Sequence, residues 1–190
     1  MAESQRRRRW YWENDTDAEG KPVRSRGVPD GGDLAALRRG LGRPAGSVPQ
    51  MWRFYRSVVS SPDSPQLAAE HAALALYGLH QQSQRTPMHQ PGVGLGEALR
   101  RLKACEGVSE DAVTRRFNAA ATATSFDELV AHLRGLITQL RGKTIALDYS
   151  QLCEDLRRWN NPSGQSQVRR YWGMQYHAWH SAGAEEPSPA

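Results

Sequence analysis

Successive helix-start signals, each followed by apolar residues at helical spacing, are the feature of this sequence that most restricts its fold. The clearest is the capping box of Ser125 and Glu128 at the start of the segment SFDELVAHLRGLITQL. Asp33 and Asp148 are placed as N-caps of two further helices, and Ser64–Pro65 is placed to begin a long alanine-rich one. Because strand-like alternation is nearly absent, we predict an all-α protein.

The same periodicity predicts which side of each helix faces inward. In a helix beginning at Pro49, we place Trp52, Tyr55 and Val59 on the inward side, and Gly142 is predicted to stop the helix that follows the capping box. The alanine-rich helix has an inward stripe of Leu67, His71, Leu74 and Gly78. In VRRYWGMQYHAWH, residues 168–180, the inward face is Val168, Tyr171, Trp172, Gln175, Tyr176 and Trp179. The opposite face is Arg169, Arg170, Gly173, His177 and His180.

Glycine, proline and charge divide the chain into four regions. The loop at about 83–94 is the best internal boundary, because it combines prolines, glycines and a break in helical periodicity. We therefore predict two small helical bundles packed into an elongated protein, one over residues 31–92 and one over 93–180. A flexible N-terminal arm, 1–30, and a disordered tail, 181–190, flank them.

Arginine supplies almost all of the positive charge. Of 25 basic residues only three are lysines, and the formal net charge is +5. Between Leu34 and Arg85 the chain carries six arginines against one aspartate and one glutamate, within segments predicted to fold. Since the planar guanidinium suits phosphate, an acidic polymer is the predicted partner. The arginine content of a GC-rich genome is the competing explanation.

No arrangement typical of an active site is present in the sequence, so we predict a non-enzyme without a cofactor. Glu154 and Asp155 are adjacent and point to different sides of a helix. His177 and His180 have a spacing that two metal ligands can use, but zinc sites need three or four protein ligands, so no metal site is predicted. The absence of a membrane-length apolar run, and two cysteines outside any C-x-x-C, predict a cytoplasmic protein.

Pairs of arginines recur on several of the predicted helices. They are Arg38/Arg39, Arg100/Arg101, Arg115/Arg116, Arg157/Arg158 and Arg169/Arg170. Each phosphate contact adds a salt-dependent contribution through counterion release, so many weak contacts predict non-specific binding to a nucleic-acid backbone. Glu154, one turn before Arg157 and Arg158, is predicted to neutralise that pair in part.

The order of the motifs resembles the CasB family, the small subunit of the type I-E CRISPR surveillance complex Cascade. The resemblance runs from about Asp33 to His180. The segments that carry it are ALRRGLGR…VPQMWRFYRSVV, GVGLGEALRRL, VTRRFNAAATATSFDELVAHLRGLITQL, IALDYSQLCEDLRRW and VRRYWGMQYHAW, in that order. The N-terminal arm and the tail are outside it.

The resemblance implies an all-helical, non-catalytic protein of two small bundles, present as two copies along the complex. Implied partners are the backbone CasC-type and large CasA-type subunits, the guide RNA, the target and displaced DNA strands, and a second copy of the chain, without a membrane. Exchange of a DNA duplex for a heteroduplex is nearly balanced, so protein contacts to the strands can stabilise the R-loop. The implied role is in antiviral defence.

The resemblance and the basic residues together predict a set of nucleic-acid contacts. They are Arg38, Arg39, Arg53, Arg56, Arg101, Arg115, Arg116, Arg134, Arg141, Lys143, Arg169 and Arg170. Any of them could instead face a neighbouring subunit.

A free-standing helical DNA-binding regulator is the alternative function. It requires a helix–turn–helix whose second helix reads bases. The helix after the Arg116-containing one begins FDELV, which is acidic where phosphate would approach, and this argues against a regulator. Sequence preference in a gel shift on free duplex would distinguish a regulator from a subunit that binds weakly and salt-sensitively.

Overall fold

The structure is a computed structural model that describes residues 9–15, 29–57, 61 and 63–178. Its α-helices are α1 (Gly31–Arg38), α2 (Pro65–Gln81), α3 (Leu95–Lys103), α4 (Glu110–Ala121), α5 (Phe126–Gly142), α6 (Tyr149–Trp159) and α7 (Pro162–His177). Two 3-10 helices span Tyr11–Asp15 and Pro49–Phe54. Within these described ranges the only β-type pairing is a bridge between His89 and Leu147. The predicted all-α class is confirmed.

Helix α2 lies at the centre of the molecule. Pro65 occupies its first turn, where the missing amide costs no helical hydrogen bond, and every residue from Ala69 to Gln81 is buried. Its many alanines allow α1, α5 and α6 to pack closely around it. A side chain at Gly78 would place its Cβ 2.7 Å from the Cβ of Leu37, so glycine is required where α1 crosses α2.

One hydrophobic cluster runs through the described part of the chain. Helix α2 belongs to the predicted N-terminal bundle, but it packs against α5 and α6 of the predicted C-terminal bundle as well as against α1. The predicted boundary loop is tied down, because the amide of Gln90 donates to the carbonyl of Leu147 at 3.0 Å. The two predicted bundles therefore share one core.

Helices α3 and α7 form the second close pair. A Cβ at Gly96 would overlap the carbonyl oxygen of Trp172, so the two backbones approach each other directly. Val168, Trp172 and Tyr176 are the buried face of α7. Tyr171, predicted on that face, is instead 41% exposed, because the buried stripe is narrower than the wheel indicates. Trp179 and His180 lie outside the described residues.

Local capping follows the sequence at the starts of two helices and departs from it at the start of a third. Ser125 and Asp148 accept from backbone amides three residues later, as predicted. Helix α1 is capped by Asp30, so the cap predicted at Asp33 is wrong: Asp33 falls in the first turn and donates its amide to Asp30. Helix α5 ends at Gly142, where the stop is predicted, but Gly142 is its last helical residue and the left-handed residue after the helix is Thr144 (φ 54°).

The inward face predicted for the Pro49 segment is wrong at Trp52, whereas Tyr55 is partly buried against the core. The segment forms a 3-10 helix, whose three-residue turn directs Met51 and Phe54 into the core in place of an α-helical stripe. Trp52 is consequently 60% exposed, and its indole Nε1–H donates to the carbonyl of Gly46 at 2.7 Å. Val59, the third predicted inward residue, lies outside the described residues.

Part of the predicted N-terminal arm packs on the core. Trp12 is fully buried, and its indole Nε1–H donates to the Ser150 hydroxyl at 2.9 Å. Trp10 stacks on Trp12 with ring centroids 4.9 Å apart. Residues 9–15 therefore form a folded element on α6, whereas 1–8 and 16–28, and the predicted tail at 181–190, lie outside the described residues.

None of the described helices is both long enough and apolar enough to span a lipid bilayer.

Candidate nucleic-acid interface

The predicted basic contacts are distributed over most of the molecule and differ in exposure. Those with exposed side chains are Arg39, Arg53, Arg101, Arg115, Arg116, Arg134, Lys143 and Arg170. Those that are half-buried are Arg38, Arg56, Arg141 and Arg169. Exposure separates arginines whose charge faces solvent from those that neighbouring residues partly cover.

Arg141 and Arg169 are anchored within the protein. Arg141 Nη1 donates to the carbonyl of Leu79 at 3.3 Å and to Gln82 Oε1 at 3.0 Å, at the C-terminal end of α2. Arg169 donates to the carbonyl of Ala123 at 3.1 Å, and its guanidinium lies 5.1 Å from the ring centre of Trp159. Both guanidinium groups satisfy helix-end or loop carbonyls, which is a structural use of the charge.

Two exposed arginines on the predicted interface have carboxylate partners. Arg53 forms an ion pair with Asp33, and its guanidinium lies 4.7 Å from the ring centre of Phe54. Arg101 forms an ion pair with Glu97 one turn earlier on α3, at 2.5 Å. Each carboxylate offsets part of the positive charge that the arginine presents to solvent.

Arg116 and Lys143 are brought together at a cleft of about 330 Å³ between the start of α4 and the end of α5. In the amide orientation that satisfies both groups, Gln139 Oε1 accepts from Arg116 Nη1 at 2.9 Å. Lys143 Nζ donates to the carbonyl of Glu106 at 2.9 Å. The cleft thus holds two cations beside an otherwise mostly apolar wall.

Arg134 lines a different cavity, of about 620 Å³, together with Arg43. Glycine and alanine from the turn after α1 and from α2 form much of its wall, and Asp127 is its acidic residue. His71 reaches it from α2; its ring bonds the Tyr55 hydroxyl at 2.6 Å and the Gly40 carbonyl at 2.9 Å, and burial lowers its pKa. The histidine is therefore neutral near neutral pH, and the two arginines carry the positive charge.

A third cavity, of about 730 Å³, lies between residues 9–13, the end of the second 3-10 segment, α2 and α6. We call it the four-arginine cavity, after Arg9, Arg56, Arg157 and Arg158 in its wall. Arg157 and Arg158 both pair with Glu154, as their helical spacing predicts. These hydrogen bonds, that from Arg157 foremost, lower the pKa of Glu154, so its charge persists below neutral pH.

Sequence patterns identify only one of these four arginines, Arg56, as a nucleic-acid contact. They place Arg9 in the arm, and they leave out the Arg157/Arg158 pair because Glu154 is nearby. A signal is present in the sequence, since a doublet that shares one carboxylate still carries an excess positive charge. No local sequence pattern indicates that residues 9–13 lie next to α6.

Two titratable side chains of α6, Cys153 and Asp155, are buried in the helix packing. No group of three or more His, Cys, Asp or Glu side chains in these ranges is placed to hold a metal ion. Cys153 is buried, and burial raises the pKa of its thiol to about 12, which leaves little nucleophilic thiolate. Asp155 accepts from Trp172 Nε1 at 2.7 Å and from Gln151 at 2.7 Å inside the helix packing.

Comparison with known proteins gives consistent similarities. A profile of the family described as CRISPR-associated protein Cse2 matches residues 33–177. The chain is 29% identical over 154 residues to a CRISPR-associated protein Cse2 of Thermus thermophilus, with 80% of each chain covered.

Solved structures show the same similarity. The crystal structure of CasB from Thermobifida fusca shares 37% sequence identity and a TM-score of 0.65, covering 77% of this chain and 84% of that one. A chain of a CRISPR RNA-guided surveillance complex shares 28% identity and a TM-score of 0.60, covering 77% and 81%.

Proposed function

The chain belongs to the Cse2 family of CRISPR-associated proteins, which the CasB-like order of its motifs predicts, and on this premise we propose that it is the non-catalytic small subunit of a type I-E Cascade complex. In that complex it binds the target and displaced DNA strands through exposed arginines and stabilises the R-loop during antiviral defence. Its partners are the CasC-type and CasA-type subunits, the guide RNA and a second copy of the chain, in the cytoplasm.

The observation that carries this proposal is the similarity to a chain of a CRISPR RNA-guided surveillance complex, over 77% of the present chain. Exposed arginines on α4, α5 and α7 agree with a subunit that lies along nucleic acid. The thiol of Cys153 is buried and the carboxylate of Asp155 is bonded inside the helix packing, so neither group faces a substrate in solvent. A binding role therefore accounts for the chemistry better than catalysis does.

The physical basis of the proposed function is electrostatic. Opening a DNA duplex against a guide RNA exchanges stacked base pairs of similar stability, so backbone contacts of modest strength decide how long the open state lasts. Arg39, Arg115, Arg134 and Arg170 are exposed arginines for which the described residues provide no carboxylate ion pair. They are the members of the predicted set that we assign to strand contacts, whereas Arg141 and Arg169 hold helices together.

The first experiment tests membership of the complex. The tagged chain is co-expressed with the products of neighbouring genes and a guide RNA, and the purified assembly is weighed by native mass spectrometry. We expect a ribonucleoprotein that contains two copies of this chain. A monomer or dimer that joins no particle would contradict the proposal and favour the regulator.

The second experiment tests the strand contacts inside that assembly. We expect Arg115→Glu combined with Arg134→Glu to shorten R-loop lifetime without loss of the subunit from the particle. Arg85→Glu, an exposed loop charge outside the predicted set, is the control for reversal of one surface charge. Equal lifetimes for the double variant and the control would remove these two residues from the interface.

A further inference from the structure

We propose that the four-arginine cavity is a binding site for a phosphodiester of a single nucleic-acid strand. This inference rests on the proposed function and adds a site to it that the motif resemblance does not supply. Three separate parts of the chain bring the arginines together: Arg9 comes from the N-terminal segment, Arg56 follows the second 3-10 helix, and the doublet Arg157–Arg158 ends α6.

Stacking holds Arg56 at the cavity wall. Its guanidinium lies 4.0 Å from the ring centre of Trp10, whose other neighbour in the stack is the fully buried Trp12. The backbone at this point is fixed by the buried carboxylate of Glu70, which accepts from the amides of Arg56 and Ser57. A cation placed in this way loses little conformational freedom when an anion binds.

Glu154 holds the arginine doublet in a fixed arrangement. It accepts from Arg157 Nε and Nη2, each at 2.7 Å, and from Arg158 Nε at 2.8 Å. Arg157 Nη1 and both terminal nitrogens of Arg158 make no hydrogen bond to any other residue that the structure describes. These N–H groups are positioned donors for phosphate oxygens, which guanidinium binds in a bidentate manner.

The charge balance of the wall favours an anion. Among the residues that the structure describes, four arginines and two glutamates line the cavity, so positive side chains outnumber negative ones by two. Glu13 is already engaged, because its carboxylate accepts from the amide of Trp10 at 2.8 Å and from the hydroxyl of Ser150 at 3.0 Å. Cys153 adds no negative charge, since burial holds its thiol in the neutral form. An acidic ligand with several oxygen acceptors is what this wall can satisfy.

The dimensions favour one nucleotide of a strand over an isolated ion. At about 730 Å³ the cavity is larger than a single phosphate requires, and it matches the range of sites that hold small organic ligands. Gln66 and Ser57 in the wall are uncharged polar groups able to contact a sugar or base edge.

The test measures binding of the full chain to a fluorescein-labelled oligothymidylate as a function of salt. The cavity variant is Arg157→Gln with Arg158→Gln, which keeps much of the side-chain length and polarity. We expect its affinity to fall by about tenfold for each phosphate that the variant no longer binds. We expect the slope of log affinity against log salt to decrease by about 0.7 for each such phosphate. Circular dichroism melting checks that the variant folds.

A second variant is expected to change the affinity for the oligonucleotide in the opposite direction. Glu154→Gln removes the negative charge beside the arginines while leaving a hydrogen-bond acceptor in place, so we expect it to tighten binding of the oligonucleotide. Loss of a merely structural ion pair would not improve binding. Inorganic pyrophosphate serves as the competitor that identifies the source of the phosphate, and we expect it to displace the strand only weakly.

The outcomes separate this inference from the proposed function. If the double Gln variant binds like the wild type while Arg115→Gln with Arg134→Gln weakens binding, the cavity assignment is wrong and the proposed function stands. If pyrophosphate binds the wild type more tightly than the strand does, a free phosphate compound is the ligand and the inference is overturned. If the wild type binds neither, the strand-binding function is contradicted as well.

Discussion

Helix α5 carries one arginine in its middle that is exposed to solvent and one at its C-terminal end that is hydrogen-bonded to a neighbouring helix. Arg134 and Arg141 are two helical turns apart, so they leave nearly the same side of the helix, separated by about 10 Å along its axis. Arg134 is exposed and lines the cavity of about 620 Å³ together with Arg43, whereas Arg141 donates to Leu79 and Gln82 at the end of α2. Two arginines on the same side of one helix therefore need not share a function. Their roles differ because only Arg141 lies next to an element that supplies hydrogen-bond acceptors.

The same division extends to acidic residues. Glu154 is partly exposed and pairs with two arginines, while its neighbour Asp155 is buried and bonded to Trp172 and Gln151. Burial raises the pKa of Asp155 to about 6, whereas hydrogen bonds from the arginines lower the pKa of Glu154. Adjacent carboxyl groups thus belong to the interior and to the surface of one helix.

Asp155 gives the largest expected effect. Its pKa is higher in the folded chain than its ordinary value of 3.8, so the folded chain binds this proton more tightly. Its contribution to stability is complete below the ordinary value and is lost as pH rises through about 6. The charged form costs about 3 kcal/mol relative to the protonated form.

Asp155→Asn removes this ionisation and keeps an oxygen for Trp172 Nε1. We expect the free energy of unfolding of the variant, relative to wild type, to rise by about 3 kcal/mol between about pH 4 and about pH 7.5. Urea unfolding at both pH values measures it. Because His71, His80 and His89 titrate in both proteins, the difference isolates Asp155. A pH-independent difference would contradict the raised pKa.

Substitution of Arg141 has the next largest expected effect on stability. Arg141→Met keeps the aliphatic contact but leaves the Leu79 carbonyl and the Gln82 amide without their charged donor. We expect a loss of about 2 kcal/mol in the free energy of unfolding, with no change in the salt dependence of oligonucleotide binding. Chemical denaturation and fluorescence titration give the two numbers. An altered salt slope with unchanged stability would place Arg141 at the interface instead.

Local features of the fold follow from the sequence, because their causes are local. The caps at Ser125 and Asp148 and the inward stripe of α2 need only neighbouring residues, and the structure has them as predicted. The predicted cap at Asp33 is wrong because two aspartates lie within one turn, and either can accept the amides of a helix start. Trp52 is exposed because a 3-10 turn forms where an α-helical turn is expected. This 3-10 segment packs against α1, which is a contact that the local sequence does not indicate.

The candidate site is less predictable, because its causes are distant in sequence. The bond from Trp12 to Ser150 joins positions 138 residues apart, and it brings Arg9 to the arginines of α6. Arginine content and pairing predict a basic surface, but they cannot separate Arg134 from Arg141. That separation depends on where the end of α2 meets α5, which is a property of the folded chain.

Substitution of Arg134 is expected to change strand binding and leave stability nearly unchanged, which is the opposite of the result expected for Arg141. The expected effect is smaller than that of Arg141. For Arg134→Gln we expect stability within about 0.5 kcal/mol of wild type, since the exposed guanidinium has no carboxylate partner among the described residues. The salt slope of strand binding should decrease by about 0.7 to 0.9, the contribution of one phosphate contact. The paired titrations of the two α5 variants form the direct comparison. Equal slopes for Arg134→Gln and wild type would exclude a phosphate contact there.

Arg101 is expected to show the smallest effect, because it lies between the two classes. It is exposed, but Glu97 pairs with it on α3, and an exposed pair at this spacing contributes only about 0.3 to 0.5 kcal/mol to stability. The carboxylate also offsets the charge that a strand would meet. We therefore expect Arg101→Gln to change the salt slope less than Arg134→Gln does, and Glu97→Gln to strengthen strand binding slightly. If Arg101→Gln weakens binding as much as Arg134→Gln does, an arginine can contact the strand even when a carboxylate on its own helix pairs with it. The distinction between Arg134 and Arg141 would then apply only to arginines that are hydrogen-bonded to another helix or loop.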